Sequence, residues 1–182
     1  GAFAFYRIAN GSNNVAIGYS AMYSDSSGNL NTAVGNGALY SNISSHNNQA
    51  FGYNALFSYN NTAEGWNNAF GDRAAEDLTN GTQNVVMGSW AFLGHNSGSF
   101  NTVVGNSAMG NGLGLGGSNN SALGNGSLYN TTGTGNTAVG NNAGDGNTTG
   151  TFNTLLGYNA DVTSPNLTNA TAIGYNASVA QS

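Results

Sequence analysis

One short pattern returns along the whole of this chain, and its fixed period constrains the fold more than any single residue does. The clearest copy is Asn31-Thr32-Ala33-Val34-Gly35-Asn36-Gly37-Ala38-Leu39-Tyr40. It reads as Asn, a small β-former, Ala, an apolar residue, Gly, two small or polar residues, then Ala. The central glycine recurs as Gly18, Gly35, Gly52, Gly71, Gly88, Gly105, Gly124, Gly140, Gly157 and Gly174, with steps of 17, 17, 19, 17, 17, 19, 16, 17 and 17 residues. Gly1-Ala2-Phe3-Ala4-Phe5-Tyr6 is the second half of one more unit. Self-similarity of this kind marks a stacked-repeat architecture, so residues 1–182 read as a single repeat domain.

Counting each central glycine as position zero, position −1 is apolar in all ten complete units, from Ile17 to Ile173. Position −2 is Ala except at Val86, Val103 and Leu155, position −4 is Asn except at Ala170, and position +3 is Ala except at Ser127. A strand at −4 to −1 alternates its side chains between two faces. The sequence reading places the large −1 residues in the core and leaves the −2 alanines as a face closely approached by another body. Glycine ends the strand at a bend, and a second strand is expected at about +3 to +6, as in Ala38-Leu39-Tyr40. Units so rich in Gly and Asn are poor helix formers. The expected fold is therefore all-β: a parallel β-solenoid of ten to eleven coils, each about 4.8 Å above the last. Ten steps would make a rod roughly 48 Å long.

The −4 asparagines are expected to form a hydrogen-bonded ladder along the rod. Two 19-residue steps mark insertions. Asn61-Thr62-Ala63-Glu64-Gly65 mimics the repeat just before the real copy at 67–74, and reads as a bulged loop. The stretch 110–117 reads as a flexible glycine-rich lobe. The chain begins and ends in mid-coil with no polar cap, which leads to the expectation of a segment within a longer fibre.

Composition removes several function classes. Lysine is absent and Arg7 and Arg73 are the only arginines; nucleic-acid binding needs many cations against phosphates, so no nucleic-acid partner is expected. No run approaches the roughly 18 apolar residues of a membrane span, so this segment is not expected to insert directly into a membrane. There is no cysteine for a disulfide scaffold. A surface carried by Asn, Ser, Thr and Gly is typical of extracellular repeat proteins.

The stretches Asn169-Ala170-Thr171-Ala172-Ile173-Gly174-Tyr175-Asn176-Ala177 and Asn13-Asn14-Val15-Ala16-Ile17-Gly18-Tyr19-Ser20-Ala21 resemble the head repeats of YadA-type trimeric autotransporter adhesins. Repeats like 31–40 also resemble those of long fibre proteins that end in a self-cleaving tail-fibre chaperone domain. The resemblance implies a left-handed parallel β-roll with three identical chains side by side, on a bacterial cell surface or a virion fibre. It implies adhesion to host extracellular matrix, cells or surface glycans. The coils here, near 17 residues, are longer than that family's common repeat. The trimer has independent physical support. A lone thin roll buries few large side chains against the entropy of ordering each coil, and packing the −2 alanine face against two further copies would bury more.

Candidate chemistry is sparse. Of the acidic residues, Asp72, Glu76 and Asp77 cluster, but Arg73 is the only base nearby, and the pattern reads as a solvated patch rather than the facing carboxylates of a glycosidase. His46 and His95 are three coils apart with no metal-ligand spacing, and read as loop residues. No Ser-His-Asp set stands out, and the glycine lobe lacks the lysine of a phosphate loop. No catalytic residue, metal or cofactor is expected. Eleven Asn-X-Ser/Thr sequons, Asn42 among them, are what a chain this rich in Asn, Ser and Thr gives by chance. The informative columns are aromatic. Position +5 holds Tyr6, Tyr23, Tyr40 and Phe57 in consecutive coils, an expected stacked ladder or ligand strip. Position +2 sets Arg73 beneath Trp90, an expected cation–π pair. Three roles are compatible with this: an adhesin head acting through repeated contacts, a structural filament or tail-fibre shaft, and an ice-binding solenoid. The last needs a regular Thr array, which the −3 column breaks at Gln49, Asn68 and Val85.

Overall fold

The computed structural model describes residues 1–62 and 64–181. Ala63 and Ser182 lie outside the described residues. The strands in chain order are β1 (Val15–Ile17), β2 (Thr32–Val34), β3 (Gln49–Phe51), β4 (Asn68–Phe70), β5 (Val85–Met87) and β6 (Thr102–Val104). They continue with β7 (Ser121–Leu123), β8 (Thr137–Val139), β9 (Thr154–Leu156), β10 (Asp161–Val162), β11 (Thr171–Ile173) and β12 (Ser178–Val179). β1 to β9 and β11 form one ten-stranded parallel sheet in chain order. Every pair is in register column for column, as in Val15↔Thr32, Ala16↔Ala33 and Ile17↔Val34. Nine inter-strand spacings make this sheet about 43 Å across. The chain is an all-β parallel solenoid.

The strand faces are the reverse of the sequence expectation. The −2 residues point inward: Ala33, Ala50, Ala69, Val103 and Ala138 are fully buried. The large −1 residues point outward, with Ile17 58% exposed, Met87 45% and Ile173 66%, and the −3 residues share that outer face. The −2 alanines therefore cannot be a contact face for other copies. The physical reason lies across the coil. Position +4 sends Met22, Leu39, Leu56, Phe92, Met109 and Leu128 into the interior, all fully buried. These side chains fill most of the narrow interior, so close packing favours a methyl at −2, and the column widens to Val or Leu only at Val86, Val103 and Leu155.

The second strand at +3 to +6 forms only in the last two coils, as the β10–β12 pair. Elsewhere this arm turns at alternate residues: Met22 has φ 51°, Leu39 51° and Phe92 56°, and Ser20, Asn54 and Trp90 at +2 are likewise positive. Placing a large L residue there costs about 1–2 kcal/mol, which burying its side chain offsets with about 1.5–3 kcal/mol. Every second N–H group along this arm points to the opposite neighbour: Gly37 N donates down to Tyr19 O at 3.0 Å, and Leu39 N donates up to Ala55 O at 3.0 Å.

The central glycines are required by approach as well as by angle. A Cβ on Gly35 or Gly52 would stand 2.2 Å from the carbonyl oxygen of the glycine one coil above, so no side chain fits between coils there.

The asparagine ladder is present. Asn48 N donates to Asn31 Oδ1 at 2.9 Å, and Asn84 N to Asn67 Oδ1 at 3.1 Å. Most of the amide NH2 groups also cap a carbonyl in the next coil, as Asn31 Nδ2 does to Ser45 O at 2.8 Å, whereas Asn48 Nδ2 turns back to His46 O at 3.1 Å. These asparagines are buried, so each satisfies backbone groups that water cannot reach. Ala170 N donates to Asn153 Oδ1 at 2.7 Å, but its methyl side chain offers no acceptor to the next coil.

Described residues of both insertions contact the coil below. Glu64, read as part of a bulge, is bridged to His46 in the coil below, and its carboxylate accepts from Asn47 Nδ2. The glycine lobe closes over His95, whose Nδ1 lies 2.8 Å from Leu115 O. His95 is fully buried and its ring stacks on Phe92 at 4.4 Å, not on the surface. His46 is half-buried and accepts from Asn29 N at 2.9 Å.

Candidate functional site

Among the described residues no group of three or more His, Cys, Asp or Glu is placed to hold a metal ion. The acidic cluster is held in place: Glu76 Oε1 accepts from Asn54 Nδ2 at 2.8 Å, and its other oxygen lies 3.6 Å from Arg73. Asp77 accepts from Gly94 N at 3.0 Å. Asp25 is fully buried beneath Gly28 N, and burial raises its pKa above the ordinary carboxyl value. Glu76 and Asp77 each serve a coil-to-coil contact, and Asp25 caps a turn within its own coil.

The aromatic column is a continuous stack. Tyr6–Tyr23, Tyr23–Tyr40 and Tyr40–Phe57 have centroid separations of 4.9, 4.9 and 4.8 Å, with ring planes within 5–14° of parallel. The spacing is set by the coils, which carry the same position of the repeat up the rod. Stacking covers the ring faces inside the column and leaves their edges outward. Freer faces come from the coil ends: Phe3 meets Tyr19 edge-on at 5.7 Å, and these two rings are about half exposed.

Arg73 does not sit against Trp90. Its guanidinium lies over Tyr53 of the coil below at 6.0 Å and beside Glu76. The carboxylate and the ring together outcompete the indole above, and Trp90 remains 49% exposed. Arg7 is over Tyr23 at 5.6 Å.

Two clefts open on the aromatic edge, and both have a glycine at position +2. One, of about 300 Å³, has Gly37 as its floor with Tyr19, Asn36, Tyr40 and Phe57 around it. The other, of about 230 Å³, has Gly126, with Asn106, Asn125, Tyr129 and Asp145. Gly37 and Gly126 are the only glycines in the +2 column, whose other members run from Phe3 to Asn176. The sequence signal was available: Gly35-Asn36-Gly37-Ala38-Leu39-Tyr40 and Gly124-Asn125-Gly126-Ser127-Leu128-Tyr129 are near copies. A larger cleft of about 530 Å³, between Arg7, Ser24, Ser41 and Asn60, lies one column further round.

The outer face of the sheet is the second candidate surface. Its −1 column runs unbroken from Ile17 to Ile173 through ten in-register strands, with Phe51 and Phe70 stacked at 4.7 Å. This is the column expected in the core, and it faces outward. Comparison of the chain with family models, with curated proteins and with solved structures gave no match.

Proposed function

We propose that this chain is a segment of a non-enzymatic extracellular fibre that assembles side by side as a homotrimer, in the manner of the YadA-type adhesin heads its repeats resemble. The observation that carries this reading is the outward −1 column. Scattered exposed apolar residues need no explanation, but a contiguous apolar strip about 43 Å long marks an interaction surface. The occupant that fits is a second copy of the same strip. It has the same length, the same coil spacing and no charge at any −1 position, and ring symmetry closes such contacts. Adhesion by repeated contacts along the rod then follows from the resemblance, with host matrix or surface glycans as the partners and a cell surface or virion as the location. The proposed hand of the roll is left. No helix among the described residues is long and apolar enough to cross a membrane.

A structural filament or tail-fibre shaft is the second reading, and the uninterrupted register of the ten-stranded sheet favours it. An ice-binding role has the −3 column on an outer face in its favour. That column is interrupted at Gln49 and Asn68, beside the bulky Phe51 and Phe70.

Light scattering at micromolar concentration tests the assembly. The expected mass is three times the 18.4 kDa chain. Val104→Lys with Leu123→Lys is expected to give a monomer with an unchanged circular dichroism spectrum. A wild-type monomer would sink the proposal. Attachment to matrix proteins and glycan surfaces, compared with Tyr23→Ala/Tyr40→Ala, separates adhesion from spacing; no attachment to any surface leaves the shaft.

A further inference from the structure

We propose that the clefts at Gly37 and Gly126 are a matched pair of saccharide subsites that bind an uncharged glycan running along the rod. The inference rests on the extracellular reading above and adds the chemistry of the ligand and the place where it binds.

The two clefts have one construction. Each carries Asn at +1 (Asn36, Asn125), Gly at +2 and Tyr at +5 (Tyr40, Tyr129). In each, the asparagine of the next coil leans over the glycine: a Cβ on Gly37 would stand 2.3 Å from Asn54 Oδ1, and one on Gly126 2.6 Å from Asn142 Oδ1. Elsewhere in the column a side chain occupies that floor. The sites are five coils apart, about 24 Å along the axis, and face the same way because they occupy the same columns of the repeat.

The lining selects the ligand class. The exposed rings of Tyr19 at the first cleft and Tyr129 at the second can pack the C–H faces of a sugar, while Tyr40, stacked on both sides, offers its edge and hydroxyl; Asn side chains both donate and accept, matching neighbouring hydroxyls. No lysine exists in the chain, neither arginine lines either cleft, and Asp145 stands at the second. An anionic saccharide would find no counter-charge and would be repelled at Asp145. An extended peptide has no strand to join, since the backbone here is already paired between coils, as Gly126 N is to Asn106 O at 3.0 Å and Asn142 N to Asn125 O at 2.9 Å. Two weak sites on one rigid rod act together on a polymer, raising avidity by about 10²–10⁴ over one site.

The test uses the whole chain over immobilised mannan, dextran and galactan, with heparin as the charged comparator. Retention on at least one neutral polymer and none on heparin is expected. Gly37→Asn and Gly126→Asn each fill one floor with a residue that the column already accepts at positive φ, at Asn54 and Asn142. Either variant is expected to weaken polymer binding roughly 100-fold, and the pair to abolish it. Calorimetry with a short fragment of the bound polymer should fall from two sites per chain to one in either single variant. Asn36→Leu with Asn125→Leu, which changes only exposed side chains, provides the same test without touching the glycines. No retention on any of the three neutral polymers, preference for heparin, or binding unaffected by both double variants overturns the proposal. The trimer mass is read separately. A wild-type trimer that binds none of the neutral polymers condemns the clefts alone, and a wild-type monomer that still binds glycan condemns the fibre reading alone.

Discussion

Leu155 reaches into the space that a side chain on Gly144 would take: a Cβ built on Gly144 would stand 2.8 Å from Leu155 Cδ1. Position +4 is Leu in several coils and −2 is usually Ala. Here the large and small residues have changed places across the interior. Val86 follows Ala75 in the same way. At this level of the rod the space between the −2 and +4 columns is filled from the −2 arm, where most coils fill it from +4.

Exchanging the two positions tests this. Leu155→Ala leaves a cavity and should cost about 2–5 kcal/mol. Gly144→Leu alone should overpack the core by about 1–3 kcal/mol. The double variant restores the arrangement of Leu39 with Ala33 and Ala50, and its cost should fall well below the sum of the singles. Urea denaturation of all four proteins measures the coupling, and simple additivity would refute the idea of a shared volume.

Asn84 links three coils. Its Oδ1 accepts from Asn101 N at 3.0 Å, and its Nδ2 donates to Gly98 O at 2.9 Å. Asn84→Ala leaves a buried donor and a buried acceptor without partners, at about 1–3 kcal/mol each. Exposed Asn125→Ala should stay within about 0.5 kcal/mol. Equal melting temperatures for the two variants would show that the ladder is not stabilising.

His95 should make the fold sensitive to mild acid. Burial lowers its pKa from 6.5 to about 4, with the Leu115 carbonyl opposing the shift. The unfolded chain takes up a proton below pH 6.5 that the folded chain refuses until about pH 4. The stability tied to a neutral His95 is therefore complete above 6.5 and is lost as pH falls through that window, by about 3 kcal/mol. Asp25 and Asp161, whose pKa values burial raises, work in the opposite direction. Leu78 occupies the same buried position one coil below, so His95→Leu should fold and should flatten the dependence between pH 6.5 and 4. An unchanged slope in that variant would assign the effect to other groups.

The period, the parallel stacking, the asparagine ladder and the stacked Tyr6–Phe57 column follow from the sequence alone. Each is a property of one position repeated at a fixed step, and stacking turns such a position into a line along the rod. What a single strand cannot reveal is which of its faces turns inward. Alternation separates Ala33 from Val34 but treats both sides alike, and hydrophobicity favours the larger residue for the core. The choice depends on the opposite arm, where Leu39 accepts a positive φ so that its side chain can fill the coil. Only the closed ring sets that volume, and in this coil Leu39 and Ala33 fill it while Val34 faces outward. The tertiary structure likewise decided that His95 is roofed by the glycine lobe and that Arg73 turns to Tyr53. Both depend on contacts between coils whose side chains differ from the repeat.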